Sequence, residues 1–240
     1  SAASDVYKRQ LEYPKYKKKF NHKALDNYLS FQYVVPPETF FEGIYCLLPG
    51  HYLWYRDGKV TTTRYFEATF KPDESLTLDK AVDEIEAVFE DSVNAHKISD
   101  VEVGCFLSSG VDSSYVSTYF ADQKTFTVGF DFGDHYNEIS WAKRLSEKIG
   151  VDHHTKLIGS DEFWGAVPKV QYQMDQPLAD PSCIALYFVS KLASKYVKVV
   201  LSGEGADELF GGYTVYNEPH VFLSLIHISE PTRQEAISYA

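Results

Sequence analysis

The stretch Leu107-Ser108-Ser109-Gly110-Val111-Asp112-Ser113-Ser114 decides the fold, because it joins an apolar run to a helical pattern. The apolar run, residues 101–107, predicts a buried strand, and residues 113–121 predict a helix. Hydroxyls, a glycine and free backbone N–H groups at such a junction can hold a phosphate group, aided by the positive end of the helix dipole. A purely structural turn fits this stretch equally well by itself, and the Gly-Lys-Ser/Thr ending of a Walker loop is missing.

Strands and helices alternate along this part of the chain. The pattern predicts strands at residues 101–107, 125–130, 152–158 and 197–201, and helices at residues 113–121, 137–149 and 181–196. Helices of this length between strands require parallel pairing, so we predict an α/β fold with a three-layer parallel sheet. Ligands of such sheets lie at the carboxyl ends of the strands. The functional residues should therefore follow the predicted strands.

A second glycine-rich turn follows the last predicted strand and reads Leu201-Ser202-Gly203-Glu204-Gly205-Ala206-Asp207-Glu208-Leu209-Phe210-Gly211-Gly212-Tyr213. Its small residues let a backbone approach a ligand closely, and its acidic residues bring carboxylates to the same strand end. The alternative is a helix start whose acidic residues complement the helix dipole. That alternative accounts for Glu208 but does not suit the glycines around Glu204.

Asp112 and Asp207 predict a metal site if the two turns line one cleft. Each aspartate would then face a polyphosphate, and two like charges about 4 Å apart repel by roughly 4 kcal/mol at an effective dielectric of 20. A divalent cation removes this repulsion. Mg²⁺ is the natural choice, because it takes one or two carboxylates together with phosphate oxygens.

Residues 11–73 form a different region, rich in Tyr, Phe and Pro. A short helix is predicted at residues 23–33 and a hairpin at residues 51–56 and 59–66, joined by Asp57-Gly58. We interpret this region as the edge of a β-rich domain. Thr77 is the predicted N-cap of the next helix, which has one apolar face. That face comprises Leu78, Ala81, Val82, Ile85, Val88, Phe89 and Val93.

Four ordered motifs, at residues 108–113, 125–130, 175–182 and 202–213, give the chain a resemblance to a known family. The first, Ser-x-Gly-x-Asp-Ser, is similar to the pyrophosphate-binding loop of the ATP pyrophosphatases. Together the four resemble the glutamine-hydrolysing asparagine synthetases, over nearly all of residues 11–222. The resemblance implies an adenine-nucleotide α-hydrolase-like (HUP-type) sheet in a truncated synthetase domain, residues 74–223. Residues 11–73 would be the β-rich end of an N-terminal nucleophile hydrolase (glutaminase) domain and its connection.

The resemblance also implies a role for each matching residue. The nucleotide site would comprise Leu107, Ser108, Gly110, Asp112, Ser113, Val128, Ser202 and Gly203. Within it, Leu107 and Val128 would contact the adenosine moiety, and Ser108, Gly110 and Ser113 would bind the pyrophosphate. Asp112 and Asp207 would hold Mg²⁺, and Glu204 would be the catalytic base that accepts a proton from the attacking ammonia.

Two residues depart from the family pattern. Ser109 replaces a glycine of the first turn, and Gln176 replaces a glutamate of the acidic loop, which bears on aspartate binding.

The cysteine that cleaves glutamine, at the mature N-terminus in the family, has no counterpart in this sequence. We interpret Cys46 and Cys105 as core residues. His153 and His154 are neighbours on a strand and should point to opposite faces, which argues against a shared metal.

The chemistry implied by the resemblance has two steps. ATP adenylates the side-chain carboxylate of aspartate, and ammonia derived from glutamine then displaces AMP to give asparagine. ATP and Mg²⁺ are the implied nucleotide and cofactor, and aspartate and glutamine or ammonia are the implied substrates. The resemblance leaves a homodimer open. Without the missing family regions, we expect this chain to show little turnover.

Composition limits the partners and the compartment. The chain has 240 residues, with 23 Lys and Arg against 34 Asp and Glu, for a formal net charge of −11. An acidic chain without a sustained basic tract argues against a nucleic-acid partner. No run approaches the roughly 18 apolar residues of a membrane span. Cys46, Cys105 and Cys183 lack metal or disulfide spacing, which favours a reducing cytoplasm.

The two ends, residues 1–10 and 224–240, resemble translated sequencing adapters, and we exclude them from the functional interpretation. Flexible native termini are the alternative. Because no initiator Met begins the remainder, we expect the natural protein to be longer at both ends.

Two other functions remain open. Another amide-forming adenylating enzyme on the same scaffold, such as a β-lactam synthetase, would keep the nucleotide motifs and differ in its acceptor pocket. A non-catalytic nucleotide-binding module is the second alternative, and the presence of Glu204 among the matched motifs argues against it.

Overall fold

The computed structural model describes residues 10–69, 71–120, 123–133, 137–174, 176–177 and 179–217. The helices of these residues are α1 His22–Phe31, α2 Leu78–His96, α3 Val111–Ser117, α4 Ile139–Ile149, α5 Ser160–Gln173, α6 Ser182–Ala193 and α7 Ala206–Phe210. The strands are β1 His51–Arg56, β2 Lys59–Arg64, β3 Val103–Phe106, β4 Lys124–Phe130, β5 Asp152–Ile158 and β6 Val199–Leu201, and a 3₁₀ turn spans Thr214–Asn217.

Four strands form a parallel sheet in the order β5-β4-β3-β6. Its central register joins Cys105 to Thr125 on one side and to Leu201 on the other. The carboxyl ends of β3 and β6 therefore lie next to each other. Since the predicted turns follow these two strands, the sheet brings both turns to one edge.

Helices cover both faces of the sheet. On one face, Cys105 packs with Val93 of α2 and Val116 of α3. On the other, Phe126 packs with Val189 and Leu192 of α6. Because neighbouring residues of a strand point to opposite faces, the two clusters lie on either side of one sheet. The predicted three-layer α/β fold is confirmed.

The β1–β2 hairpin is confirmed, with Arg56 paired to Lys59 around the Asp57-Gly58 turn. Both turn residues have positive φ, 52° at Asp57 and 75° at Gly58, as a tight hairpin turn of this kind requires. The strands are exposed on nearly all of their residues, including Trp54 at 61%. The alternation of aromatic and β-branched residues thus predicts the strands, while their side chains remain largely in solvent.

Helix α2 is confirmed, and the Thr77 hydroxyl caps it by accepting the N–H of Lys80. Its apolar face is only partly used. Val93 is buried, and Phe89 packs against Tyr115 of α3 with ring centroids 4.6 Å apart, whereas Val88 is 70% exposed. The apolar period therefore identifies the helix correctly, but most of its stripe faces an open groove.

Apart from shifts of one to three residues at the ends of elements, the structure differs from the prediction at helices α5 and α3. Helix α5 is not among the predicted helices; Gly165 and Pro168 lie inside it, and both residues ordinarily interrupt helices. Helix α3 ends at Ser117, short of the predicted residue 121.

The two end segments lie outside the described residues except for Gln10. No helix of the described part of the chain is long and apolar enough to cross a membrane.

Phe126 offers a test of the core. Its side chain is fully buried between β3 and α6, so Phe126→Ala should cost about 3–5 kcal/mol of unfolding free energy through lost burial and a cavity. The control is Phe66→Ala, because Phe66 is 62% exposed and should change stability by less than about 1 kcal/mol. Urea unfolding of both variants measures the difference, and equal effects would contradict the assigned core.

Candidate functional site

The first turn begins on a residue that is locked to the neighbouring strand. Leu107 is buried, its N–H donates to the carbonyl of Phe126 at 2.9 Å, and its carbonyl accepts a short hydrogen bond from the Thr127 hydroxyl. The turn therefore leaves the sheet from a fixed point.

Serine hydroxyls close the turn from within. The Ser113 hydroxyl accepts the N–H of Ser108 at 3.0 Å and lies 2.7 Å from the Ser108 hydroxyl. The Ser108 hydroxyl in turn accepts the N–H of Gly110 at 3.1 Å, and the Gly110 carbonyl accepts the Ser114 hydroxyl at 2.6 Å. The backbone donors of this turn are thus held in a preformed loop at the start of α3.

The second turn passes directly over the first. A Cβ placed on Gly203 would lie 2.8 Å from the backbone nitrogen of Ser113 and 2.9 Å from the carbonyl carbon and the Cβ of Asp112. Only a glycine fits this contact without displacing backbone atoms. The structure therefore brings together the two segments that the sequence analysis predicted to meet.

Glu204 and Asp112 line one cavity. Glu204 is exposed, and its N–H donates to the Ser202 hydroxyl at 3.4 Å. Asp112 is half-buried in the first turn of α3. The cavity has a volume of about 850 Å³ and extends between α2, α3 and α7 along mostly apolar side chains.

Asp207 lies in the first turn of α7 and is held by the loop that returns after this helix. Its carbonyl accepts the N–H of Gly212 at 2.9 Å, and a Cβ on Gly212 would overlap its carboxylate. The hydroxyl of Tyr213 donates to Glu208 at 3.1 Å. This hydrogen bond is the main reason that the pKa of Tyr213 is raised, and the charges of Glu208, Asp207 and Glu204 add to it.

Asp112 and Asp207 are the predicted protein ligands of a Mg²⁺ ion that would also bind phosphate oxygens. Within the described residues, no three His, Cys, Asp or Glu side chains converge as a metal-binding group. The predicted site needs only two carboxylates, Asp112 and Asp207, with phosphate oxygens as further ligands. The Gly203 contact places the backbone of the second turn against Asp112, whereas Asp207 does not line the cavity that Asp112 borders. Carboxylate oxygens are ligands that Mg²⁺ accepts, and the pair remains a prediction.

Val128 is a partly buried residue near the carboxyl end of β4. It packs against apolar clusters that α6 shares with β4 and β5, so at least part of its side chain belongs to the core. Its contact with adenosine stays a prediction.

The acidic loop is described only in part. Asp175 and Leu178 lie outside the described residues. The Gln176 amide donates to the Cys46 sulfur at 3.6 Å, and Asp180 accepts the N–H of Ser182 at the start of α6. The loop thus contacts the first region of the chain, a contact that the sequence analysis missed.

The interpretation as a core residue is confirmed for Cys105 and not for Cys46. Cys105 is buried, and burial raises the pKa of its thiol to about 12; Cys46 is only half-buried. His153 contacts the Thr125 hydroxyl at 2.9 Å, whereas His154 stacks on Tyr196 beyond the opposite face of the sheet. Because the two rings lie on opposite faces, they cannot share a metal ion. Burial lowers the pKa of His153.

Glu138 is a site residue that the sequence analysis did not identify. Its carboxylate accepts the N–H of Ser109 at 3.3 Å, across 29 residues of sequence. Only its position after β4, at the sheet edge that also carries the two turns, could have indicated it.

These observations define a class: an α/β protein whose candidate site lies where two glycine-containing turns meet at the carboxyl edge of a parallel sheet. A sequence profile described as asparagine synthase matches residues 84–237, and one described as glutamine amidotransferase domain matches residues 2–66. The chain therefore belongs to the asparagine synthase family, and the resemblance found in its motifs is confirmed. Both matches overlap the end segments, whose interpretation as adapters stays a prediction.

Curated relatives agree with this assignment. Glutamine-hydrolyzing asparagine synthetase 1 of Bacillus subtilis is 44% identical over 202 residues, which cover 82% of this chain and 32% of the relative. A putative glutamine-hydrolyzing asparagine synthetase of Mycobacterium bovis is 41% identical over 223 residues, which cover 89% of this chain and 34% of the relative. Amidase chyE of Penicillium rubens is 28% identical, covering 86% and 35%. The chain spans about a third of the length of these relatives.

Gly203→Ala tests the contact between the turns. The added methyl group would meet backbone atoms of Asp112 and Ser113, so the variant should lose about 1–3 kcal/mol of unfolding free energy. Hydrogen exchange at residues 108–113 should also accelerate. Gly165→Ala is the control, because an added Cβ there meets nothing within 4 Å and Ala favours a helix. If the two variants behave alike, the turns do not touch.

Proposed function

We propose that this chain is the nucleotide-activating part of a glutamine-hydrolysing asparagine synthetase, together with the end of its glutaminase domain. The main support is the contact of Gly203 with Asp112 and Ser113, which joins two phosphate-type turns at one sheet edge. Membership of the asparagine synthase family is the second support. The proposed substrates are ATP, aspartate and glutamine or ammonia, and the proposed cofactor is Mg²⁺.

In the first step, a side-chain oxygen of aspartate attacks the α-phosphorus of ATP. The bond from that phosphorus to the bridging oxygen breaks, and pyrophosphate leaves. Ser108, Gly110 and Ser113 would bind the leaving pyrophosphate, which would replace hydrogen bonds that these residues make to each other inside the loop. Leu107 and Val128 contact the adenosine, and Ser202 and Gly203 bind the nucleotide from the adjacent strand end. A loop that grips the pyrophosphate suits adenylation better than transfer of the γ-phosphoryl group.

Asp112 and Asp207 are the proposed holders of Mg²⁺. When bound, the metal ion offsets charge on the polyphosphate and on these two carboxylates. Asp112 stands in the first turn of α3 and Asp207 in the first turn of α7, so each carboxylate is already placed where a helix dipole favours negative charge. The Gly212 loop behind Asp207 limits the directions that its carboxylate can take.

In the second step, the nitrogen of ammonia attacks the activated carbonyl carbon, and AMP leaves. The attacking nitrogen gains a positive charge and must lose a proton. Glu204 accepts that proton in this proposal, because it is exposed to the cavity and stands beside the nucleotide turn. Holding acyl group and ammonia in one cleft makes the step effectively unimolecular.

Ammonia would come from glutamine cleaved in the domain to which the first region belongs. The match of residues 2–66 to the glutamine amidotransferase domain supports this source. The proposal includes a cytoplasmic location and a homodimeric state for the enzyme. The free thiols of Cys46, Cys105 and Cys183 are compatible with a reducing compartment.

Amide formation on a different carboxylate is the second candidate. Gln176 stands where the family pattern has a glutamate, and it contacts Cys46. One similar protein, from Penicillium rubens, is named an amidase and not an asparagine synthetase. Amide formation with aspartate, compared with other carboxylic acids in a chain completed to the length of its relatives, separates the candidates. A non-catalytic nucleotide-binding module would bind ATP and form no amide.

Asp112→Asn and Asp207→Asn test the metal ligands. In the completed chain at limiting Mg²⁺, each variant should lower aspartate-dependent pyrophosphate release by roughly tenfold or more, because one metal ligand loses its charge. The unfolding free energy should change by less than about 1 kcal/mol. Asp161→Asn, in the exposed first turn of α5, is the control and should release pyrophosphate normally. Near-normal release by Asp112→Asn or Asp207→Asn would remove that residue from the site.

Glu204→Gln separates the two half-reactions. The variant keeps the size of the side chain but cannot act as a base, so asparagine formation from ammonia should fall by about 10²- to 10⁴-fold. Adenylation should persist, measured as transfer of labelled oxygen from aspartate into AMP. Glu208→Gln, in the short helix α7 that follows the turn of Glu204, controls for a general loss of negative charge. If adenylation fails as completely as amide formation, Glu204 positions substrate instead.

A further inference from the structure

Glu138 is held in place by the carboxyl end of β4. The Asn137 side chain accepts the N–H of Ile139 at 3.2 Å as α4 begins. A Cβ on Gly129 of β4 would lie 2.5 Å from that Asn137 oxygen and 2.9 Å from the Ile139 side chain. The two neighbours of Glu138 are therefore pressed against the strand, and its backbone has little freedom.

From this position the Glu138 carboxylate reaches the first turn. It accepts the N–H of Ser109 at 3.3 Å. The N–H groups on either side already have partners inside the loop, since Ser108 donates to the Ser113 hydroxyl and Gly110 donates to the Ser108 hydroxyl. The N–H groups of Ser108 and Gly110 thus donate to hydroxyls of the same turn. The N–H of Ser109 donates to a carboxylate from outside the turn, that of Glu138.

The charge of Glu138 opposes a second anion at this place. Among the described residues, no lysine or arginine forms an ion pair with it. The nearby turns add Asp112 and Glu204, which are also acidic. A phosphate oxygen that takes the Ser109 N–H must displace the Glu138 carboxylate or bind beside it against charge repulsion.

We propose that Glu138 is a residue of the nucleotide site and competes with phosphate for the Ser109 amide. This inference rests on the proposed function, because it assumes that the first turn binds pyrophosphate. The competition should lower the affinity for pyrophosphate. A carboxylate that returns to the amide weakens the hold on pyrophosphate and favours release of this product, and the opposition is smallest when a metal ion offsets the charge of the incoming phosphate.

Glu138→Gln tests the competition in the 240-residue chain. The variant keeps shape but removes charge, so inorganic pyrophosphate with Mg²⁺ should bind about five- to tenfold more tightly at low salt, by isothermal titration calorimetry. The gain should shrink as salt increases. Glu147→Gln is the matched control. Glu147 lies in α4, the helix that Glu138 precedes, and lines the small cavity beside His153, so its replacement should leave pyrophosphate affinity unchanged.

A second measurement follows the contact without any nucleotide. In Glu138→Ala, hydrogen exchange of the Ser109 amide should accelerate at least about threefold, since its acceptor is gone, and Glu147→Ala should not change it.

Two results for Glu138→Gln would contradict the inference. An unchanged pyrophosphate affinity would show that Glu138 does not compete with phosphate, and weaker binding would show that Glu138 supports phosphate binding. If the unmodified chain binds magnesium–ATP but Glu138→Gln does not bind pyrophosphate more tightly, the inference is wrong and the proposed function stands. If neither the unmodified chain nor Glu138→Gln binds magnesium–ATP or pyrophosphate, the proposed function and the inference fail together.

Discussion

The candidate site depends on one close approach, that of Gly203 to the backbone at Asp112 and Ser113. This approach follows from the pairing of β3 with β6, which places Cys105 opposite Leu201 and brings the two following turns side by side. A side chain at Gly203 would separate the turns. The order of strands in the sheet therefore determines whether the serines of one turn and the carboxylates of the other can act on one ligand.

The interior of the first turn shows how a loop can be rigid without packing. Ser108 and Ser113 satisfy each other and the N–H groups of the turn, and Thr127 anchors its first carbonyl. These short-range hydrogen bonds fix the backbone of the turn, and a phosphate proposed to bind there would have to replace some of them. Ser109 is the exception, because its donor depends on Glu138, a residue of another element.

Much of the fold could be predicted from the sequence, because alternation and apolar runs depend on neighbours along the chain. The four sheet strands, the hairpin at Asp57-Gly58 and the helix capped by Thr77 are of this kind. Helix α5 could not be predicted in this way, since Gly165 and Pro168 lie inside it and its stability comes from packing of Ala166 and Val170. The contact between Glu138 and Ser109 depends on tertiary structure alone.

The same limit applies to the site. Local pattern identified the two turns and their carboxylates, but it could not establish how Gly203 meets Asp112, nor that Asp207 faces Gly212. It also could not show that the apolar stripe of α2 borders an open cavity. An amphipathic period shows which residues share a face and does not show what covers that face.

Charge is the remaining constraint. None of the described residues that line the cavity of Asp112 and Glu204 is a lysine or an arginine, and the local side-chain charge there is negative. A polyphosphate that binds beside this cavity, as proposed, would find no side-chain cation in that lining, so backbone N–H groups and a metal ion would supply its affinity. Under the proposed function, each added carboxylate, Glu138 included, would make phosphate binding depend more strongly on that ion. In the proposed function, such an acidic site would hold a polyphosphate weakly without a metal ion, and the carboxylates responsible would be those proposed to supply the metal ligands and the base.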